Sequence, residues 1–290
     1  MGLRLKFNLV LLAVFAVGLA VSGYVSYDLL HKNARDEVLR NAGVMMEAAL
    51  STRSYTVNNV RPKLIAKEDE FLPESLPAFA AVEVMGKIRA KYPEYVYREA
   101  ALNPTNPRNK AVEWEADVIA DFRNNPGVHA ELSGVRQTPT GPSLFLARPF
   151  QIKDGACLAC HTTPEMAPAA MVKMYGPNNG FGWKLNEVIG AQVVSVPMTL
   201  PIQNANRAFT TFMVSLSAVF AAVFVILNVM LSTLIVRPIT RMAAAAEEIS
   251  KGNMEIPEFA ERGRDEMSLL AVSFNRMRRS LEKAISLIDR

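Results

Sequence analysis

The stretch DGACLACHTTP, residues 154–164, carries both cysteines of the 290-residue chain, Cys157 and Cys160, and one of its three histidines, His161. The spacing C-x-x-C-H is the attachment signature of a c-type haem. Each thiol can form a thioether with one vinyl group, and the imidazole behind the second cysteine can ligate the iron. Other uses of the same residues fit less well. A Cys157–Cys160 disulfide would close a very small loop, gain little in chain entropy and leave His161 without a role. A structural zinc needs about four ligands, and His31 and His129 lack finger-like spacing. A redox C-x-x-C is expected at a helix start in a βαβ unit, and no such pattern surrounds this one. Covalent haem c is the reading that employs all three residues, with iron held by His161.

The far side of the iron is less defined. No third cysteine exists, so a thiolate ligand is excluded. Met85 is the first candidate, followed by Met45, Met46 and His129, or an open or water-bound position. Tyr175, Phe181 and Trp183 are candidate walls of the haem pocket. For each methionine and aromatic, ordinary core packing is the alternative.

Haem attachment of this kind belongs outside the cytosol, so the elements that place the motif matter. Two uncharged runs, FNLVLLAVFAVGLAVSGYVSY before Asp28 and AFTTFMVSLSAVFAAVFVILNVMLSTLIV before Arg237, exceed the about 20 apolar residues that span a bilayer. The first has a cleaved signal peptide as its alternative, since GLAVSG offers small residues. Its length favours an uncleaved helix. Arg4 and Lys6 precede the first run, and Arg237 and Arg241 follow the second. The positive-inside rule puts both ends in the cytoplasm. The expected order is a cytoplasmic N-terminus (1–6), a membrane helix (7–27), a periplasmic domain (28–208), a second membrane helix (209–236) and a cytoplasmic segment (237–290). That arrangement implies the inner membrane of a bacterium.

The formal net charge of +4 is small and spread along the chain, so no part reads as a nucleic-acid binder. Residues 28–60 have few breakers and extend the first helix outward as a stalk, which Pro62 should end or kink. EYVYREAAL, SLFLARPFQI and IGAQVVSVPM are strand candidates, with Pro197 marking an end or an edge. VEWEADVIADF is a short amphipathic helix, and GPNNGFGW is a glycine-rich loop. Short helices mixed with late strands predict an α+β domain with an antiparallel sheet.

In the C-terminal segment, Met267, Leu270, Phe274, Met277, Leu281, Ala284 and Ile288 recur at alternating spacings of three and four. That is a coiled-coil seam. Ile239, Met242, Ala246 and Ile249 follow the same rule. Two short helices joined by a connector between Gly252 and Gly263 need a second copy to bury their seams, which predicts a parallel homodimer.

This segment resembles the HAMP linker of bacterial membrane receptors through Pro238, Gly252, Asp265–Glu266 and FNRM at 274–277. The outer segment is similar to periplasmic haem-c sensor domains with a PAS-like fold, over roughly residues 40–200. The stretches YREAALNPTNPRN, CLACHTTPEMAP and YGPNNGFGWKLNEVIGAQVVSVP carry that likeness. The resemblance implies an antiparallel sheet with flanking helices, and a haem on Cys157, Cys160 and His161 at its edge. Some relatives use a distal cysteine, which this chain lacks.

Together these features lead to the expectation of a membrane-bound sensor of redox state or a diatomic gas, with HAMP helices relaying to a separate cytoplasmic signalling protein of kinase or chemotaxis type. No nucleophile–base pair or phosphate loop is seen, so no enzyme is expected. The alternative is a membrane-anchored mono-haem electron carrier, which has no need of the dimeric inner segment.

Overall fold

The computed structural model describes residues 2–64, 72–260, 263 and 265–288. It forms two compact units, Met1–Ser26 with Phe209–Arg290, and Tyr27–Ala208. Helix α1 (Leu3–Tyr55) belongs to both. No proline interrupts these residues. A π turn at Thr56–Val60 and a short helix α2 (Arg61–Leu64) follow. Pro62 has no N–H to give to the preceding turn, and the break expected there takes the form of this widened turn just ahead of it.

The second unit continues with α3 (Pro77–Lys91), β1 (Val96–Ala101), α4 (Glu113–Asn124), β2 (Leu132–Thr138) and β3 (Gly141–Gln151). Two short helices, α5 (Leu158–His161) and α6 (Ala169–Tyr175), then lead to β4 (Val188–Pro197). The strands form one antiparallel sheet in the order β1-β4-β3-β2. The domain is thus α+β, with an antiparallel sheet and flanking helices. All three strand candidates form. Pro197 ends β4, which has neighbours on both sides, so the proline takes the end rather than an edge.

Successive residues of a strand face opposite sides, and helices pack on both sides of this sheet. Val194, Val196, Leu144 and Leu146 bury one face in a core with Val38 and Met46 of α1 and Met85 of α3. Ala147, Ala191 and Val193 bury the other face against Ile119 and Phe122 of α4.

Helix α7 (Thr199–Met230) begins in the second unit and continues into the first, where a π turn (Leu231–Val236), α8 (Arg237–Ser250) and α9 (Glu266–Ile288) follow in turn. Helical stretches Arg4–Leu64 and Thr199–Ser250 are long and apolar enough to cross a membrane, with apolar windows of mean hydropathy 2.3 and 2.6. Phe15 and Phe220 stack at 4.7 Å. The α8–α9 pair buries Met242, Ala245, Ile249 and Ala271. Asn275, almost fully buried, fixes the connector by donating to Phe259 O (2.8 Å) and accepting from Phe259 N (3.0 Å). Phe274 meets the Phe259 ring edge-on at 5.3 Å, so this seam position faces the connector. Leu270, Met277 and Leu281 remain more than two-fifths exposed in the single chain. The side chain of Ile288 lies outside the described residues.

Candidate functional site

Asp154 starts the site by accepting a hydrogen bond from Ala156 N at 2.8 Å, which turns the chain into a single 3-10 turn, Gly155–Cys157. Cys157 then leads into α5, whose four residues include Cys160 and His161. One helical turn puts residues three apart on the same face, so the two thiols emerge on one side. Both are free and half-buried. Burial, with the nearby Asp154 carboxylate, pushes the Cys157 thiol up, while Arg61 and Arg53 pull it down. The group is a thiol, not a reactive thiolate.

His161 is held more firmly. Its Nδ1 lies 2.7 Å from Gly180 O, so that nitrogen carries the proton. Trp183 stacks on the imidazole at 3.9 Å and 14°. Burial pushes the imidazole below its ordinary value, opposed by the Gly180 bond. The neutral ring with Nδ1–H committed to a carbonyl leaves Nε2 as a free donor, the form that ligates a metal. Gly180 is held in turn: its N–H donates to Asn103 Oδ1 at 3.2 Å, and Asn103 Nδ2 donates to Phe181 O at 3.3 Å. Gly180 has φ +82, and a Cβ there would run into Thr105. The loop therefore needs glycine where it passes His161.

Cys157, Cys160 and His161 line one cavity with Met171, Tyr175 and Trp183. Its walls are mostly apolar, from Phe79, Phe150, Ile152 and Ile189, and its rim carries Arg53, Arg61 and Arg108. The donor set fits a haem c: two thiols on one face, an imidazole with a free nitrogen, an apolar slot, and the Arg61 guanidinium suited to a carboxylate, while Arg53 and Arg108 pair with Glu99 and Glu83.

Five of the candidates are not brought there: Met45 and Met46 of α1 belong to the core around Val38, and Met85, Phe181 and His129 lie elsewhere. Met85 is 4 % exposed in the core with Val38, Met46 and Tyr97. The start of α3, Pro77–Phe79, lines the cavity, but Met85 sits more than a turn further on and faces the sheet. Phe181 contributes its carbonyl rather than its ring, and is not among the lining residues. His129 is exposed in the loop before β2. The thioether that does line the cavity is Met171, 3 % exposed. Its appearance in a helix of about two turns, ten residues past His161, carries no sequence signal that separates it from core.

Residues 31–197 match the family of Tll0287-like proteins, and residues 230–283 match the HAMP domain. The crystal structure of the cyanobacterial haem protein Tll0287 is similar at 17% identity and a TM-score of 0.43, over 56% of this chain and 95% of that one. No curated protein matches the chain.

Proposed function

The chain belongs to the Tll0287-like family and carries a HAMP domain, and from that premise we propose that it is a membrane-bound haem-c sensor of redox state or of a diatomic gas. The observation that carries the reading is the convergence of Cys157, Cys160 and His161 on one apolar cavity, with His161 Nδ1 committed to Gly180. Bound haem would supply an iron centre that changes charge or takes up a small ligand.

The chain's own residues do the rest. Cys157 and Cys160 hold the group by two thioethers. The Gly180 carbonyl and the Trp183 ring fix the His161 imidazole. Arg61 at the rim would hold a carboxylate of the group, since Arg53 and Arg108 already pair with Glu99 and Glu83. Two elements of the cavity wall continue toward membrane helices. Arg53 belongs to α1, and Ile189 belongs to β4, which ends at Pro197, two residues before α7 begins at Thr199. A change of iron charge shifts an equilibrium only if two arrangements of these elements differ in energy with it.

Positive charges before the first span and after the second favour the sensor domain in the periplasm and the HAMP helices in the cytoplasm. The exposed side chains of Leu270, Met277 and Leu281 favour a homodimer, since burying each is worth roughly 1.5–3 kcal/mol. The relay then ends on a cytoplasmic signalling partner.

The test has two parts. Protein made with haem-attachment machinery should keep peroxidase-active haem on a denaturing gel, and Cys157→Ala with Cys160→Ala should abolish it. Cysteine placed at Leu281 should cross-link two copies in membranes with a yield that changes between oxidised, reduced, CO-bound and NO-bound states. Haem retained by the double variant defeats the attachment. Cross-linking that ignores every haem state favours an anchored electron carrier.

A further inference from the structure

The face of the sheet turned away from the haem motif is only half covered. Helix α4 packs on Ala147, Ala191 and Val193. Beyond it the strand register leaves a row of small or polar residues: Val96 pairs with Ser195, and Ser143 bridges Pro197 and Arg136. These residues floor a cleft of about 370 Å³, within the range of small-molecule sites, about 300–1,000 Å³.

Its side wall is a stack. The Arg136 guanidinium lies 4.2 Å over the Trp114 ring, and Trp114 packs against Phe145 at 5.3 Å. Phe145 lies flat because Gly134 offers nothing to displace it; a Cβ there would meet the ring at 2.7 Å. The stack holds the guanidinium plane in place before any ligand arrives, which lowers the entropy cost of a bidentate bond.

Charge decides the ligand. Two of the four charged lining groups answer each other: Arg98 Nε lies 2.9 Å from Glu115 Oε1. Among the described residues Arg136 has no carboxylate partner, and the Ser195 hydroxyl has no protein partner. The fourth charge, Glu94, is exposed at the rim. One unmatched guanidinium suits one carboxylate in a forked pair, and Glu94 disfavours a second. Trp114 and Val112, the latter 47% exposed, offer an apolar surface to the remainder of the ligand.

We infer that this cleft is a binding site for a small organic monocarboxylate with an apolar body. Arg136 takes the carboxylate, Trp114 and Val112 take the body, and Ser195 offers a hydroxyl at the floor. The site shares no lining residue with the cavity of Cys157 and His161, so it stands whether or not the haem reading does. In a receptor it would be a second, chemical input on the same sheet.

Equilibrium dialysis of the full chain in detergent with radiolabelled benzoate tests it. Saturable binding of one benzoate per chain is expected, displaced by propionate but not by benzamide or inorganic phosphate. Arg136→Gln should weaken it about tenfold or more, Arg136→Lys should weaken it less, and Ser195→Phe should block it by filling the floor. Circular dichroism of each variant checks that it is folded. Overturning results are binding that never saturates, displacement by phosphate as strong as by propionate, or a folded Arg136→Gln that binds like the parent.

Discussion

Arg53 Nη1 lies 2.5 and 2.6 Å from the two carboxylate oxygens of Glu99, in the wall of the cavity that holds Cys157 and His161. Arg53 comes from α1 and Glu99 from β1. The Tyr97 hydroxyl donates to Glu99 Oε1 at 2.8 Å, and the Phe150 ring lies 4.8 Å under the guanidinium. The side chains are 16% and 2% exposed. One buried ion pair therefore ties the long helix to the sheet beside the cavity that Cys157 and His161 line.

Removing one member of that pair leaves an uncompensated charge away from water. Arg53→Gln should destabilise the domain by about 3–5 kcal/mol, measured by urea unfolding with near-ultraviolet circular dichroism. Replacing both members with apolar residues of similar size should cost less than the single change. A single-variant loss below about 1 kcal/mol would mean that the pair behaves as a solvated surface bridge.

Alkaline pH probes the same network. Burial, with the nearby Glu99 carboxylate, holds the Tyr97 hydroxyl far above the ordinary phenol value of 10.0, while Arg53 pulls it down. Above about pH 10 the unfolded chain releases this proton and the folded one keeps it. The folded state then binds more protons, so stability present below pH 10 falls as pH rises. Tyr97→Phe should flatten that part of the pH–stability curve, and cost about 1.5–3 kcal/mol at neutral pH for a bond to a charged acceptor. An unchanged alkaline slope in the variant would assign it to other groups.

Gly180→Ala should disturb the His161 imidazole without touching it. The new Cβ collides with Thr105, and the backbone sits at φ +82, so the carbonyl that accepts from His161 Nδ1 must move. The absorption and EPR spectra of the haem-loaded protein should then show weakened axial ligation. Gly127→Ala is the control: its φ is +78, but nothing lies within 4 Å of the added atom. It should cost only local strain, roughly 1–2 kcal/mol, and leave the spectra alone.

Two of the buried methionines, Met171 and Met85, should separate by readout. Met171→Ala should change the spectrum of the haem-loaded protein, since its side chain lines the cavity. Met85→Ala should leave the spectrum in place and lower stability by about 2–5 kcal/mol, the ordinary cost of a core truncation. The reverse pattern would return Met85 to the distal position.

What could be read from the sequence divides along physical lines. Alternation and β-branching marked β1, β3 and β4, which form where expected. β2 was hidden because Gly134 sits in its middle and its polar positions look like loop, although LSGVRQT does alternate in exposure. The Cys157–Cys160–His161 spacing is local chemistry and was legible. The partners of His161 were not: Thr105 and Gly180, and Asn103 that holds Gly180 in turn, come from two loops remote in the chain, brought together by hydrogen bonds that no periodicity announces. Met85 misled because a helical methionine looks the same whether it faces the sheet or a cavity.

The wide turn at Thr56–Val60 governs where α1 can change length. A π turn is an α turn with one residue added. Deleting one residue there would restore regular helix and leave the faces on either side in phase, with Arg53 still toward Glu99. Deleting one residue between 42 and 49 would instead rotate everything before it by about 100° relative to the rest, and carry Val38 off the core. Gain and loss of single residues along this helix should therefore concentrate at residues 56–60, and family members whose helices differ in length by one should differ at that turn.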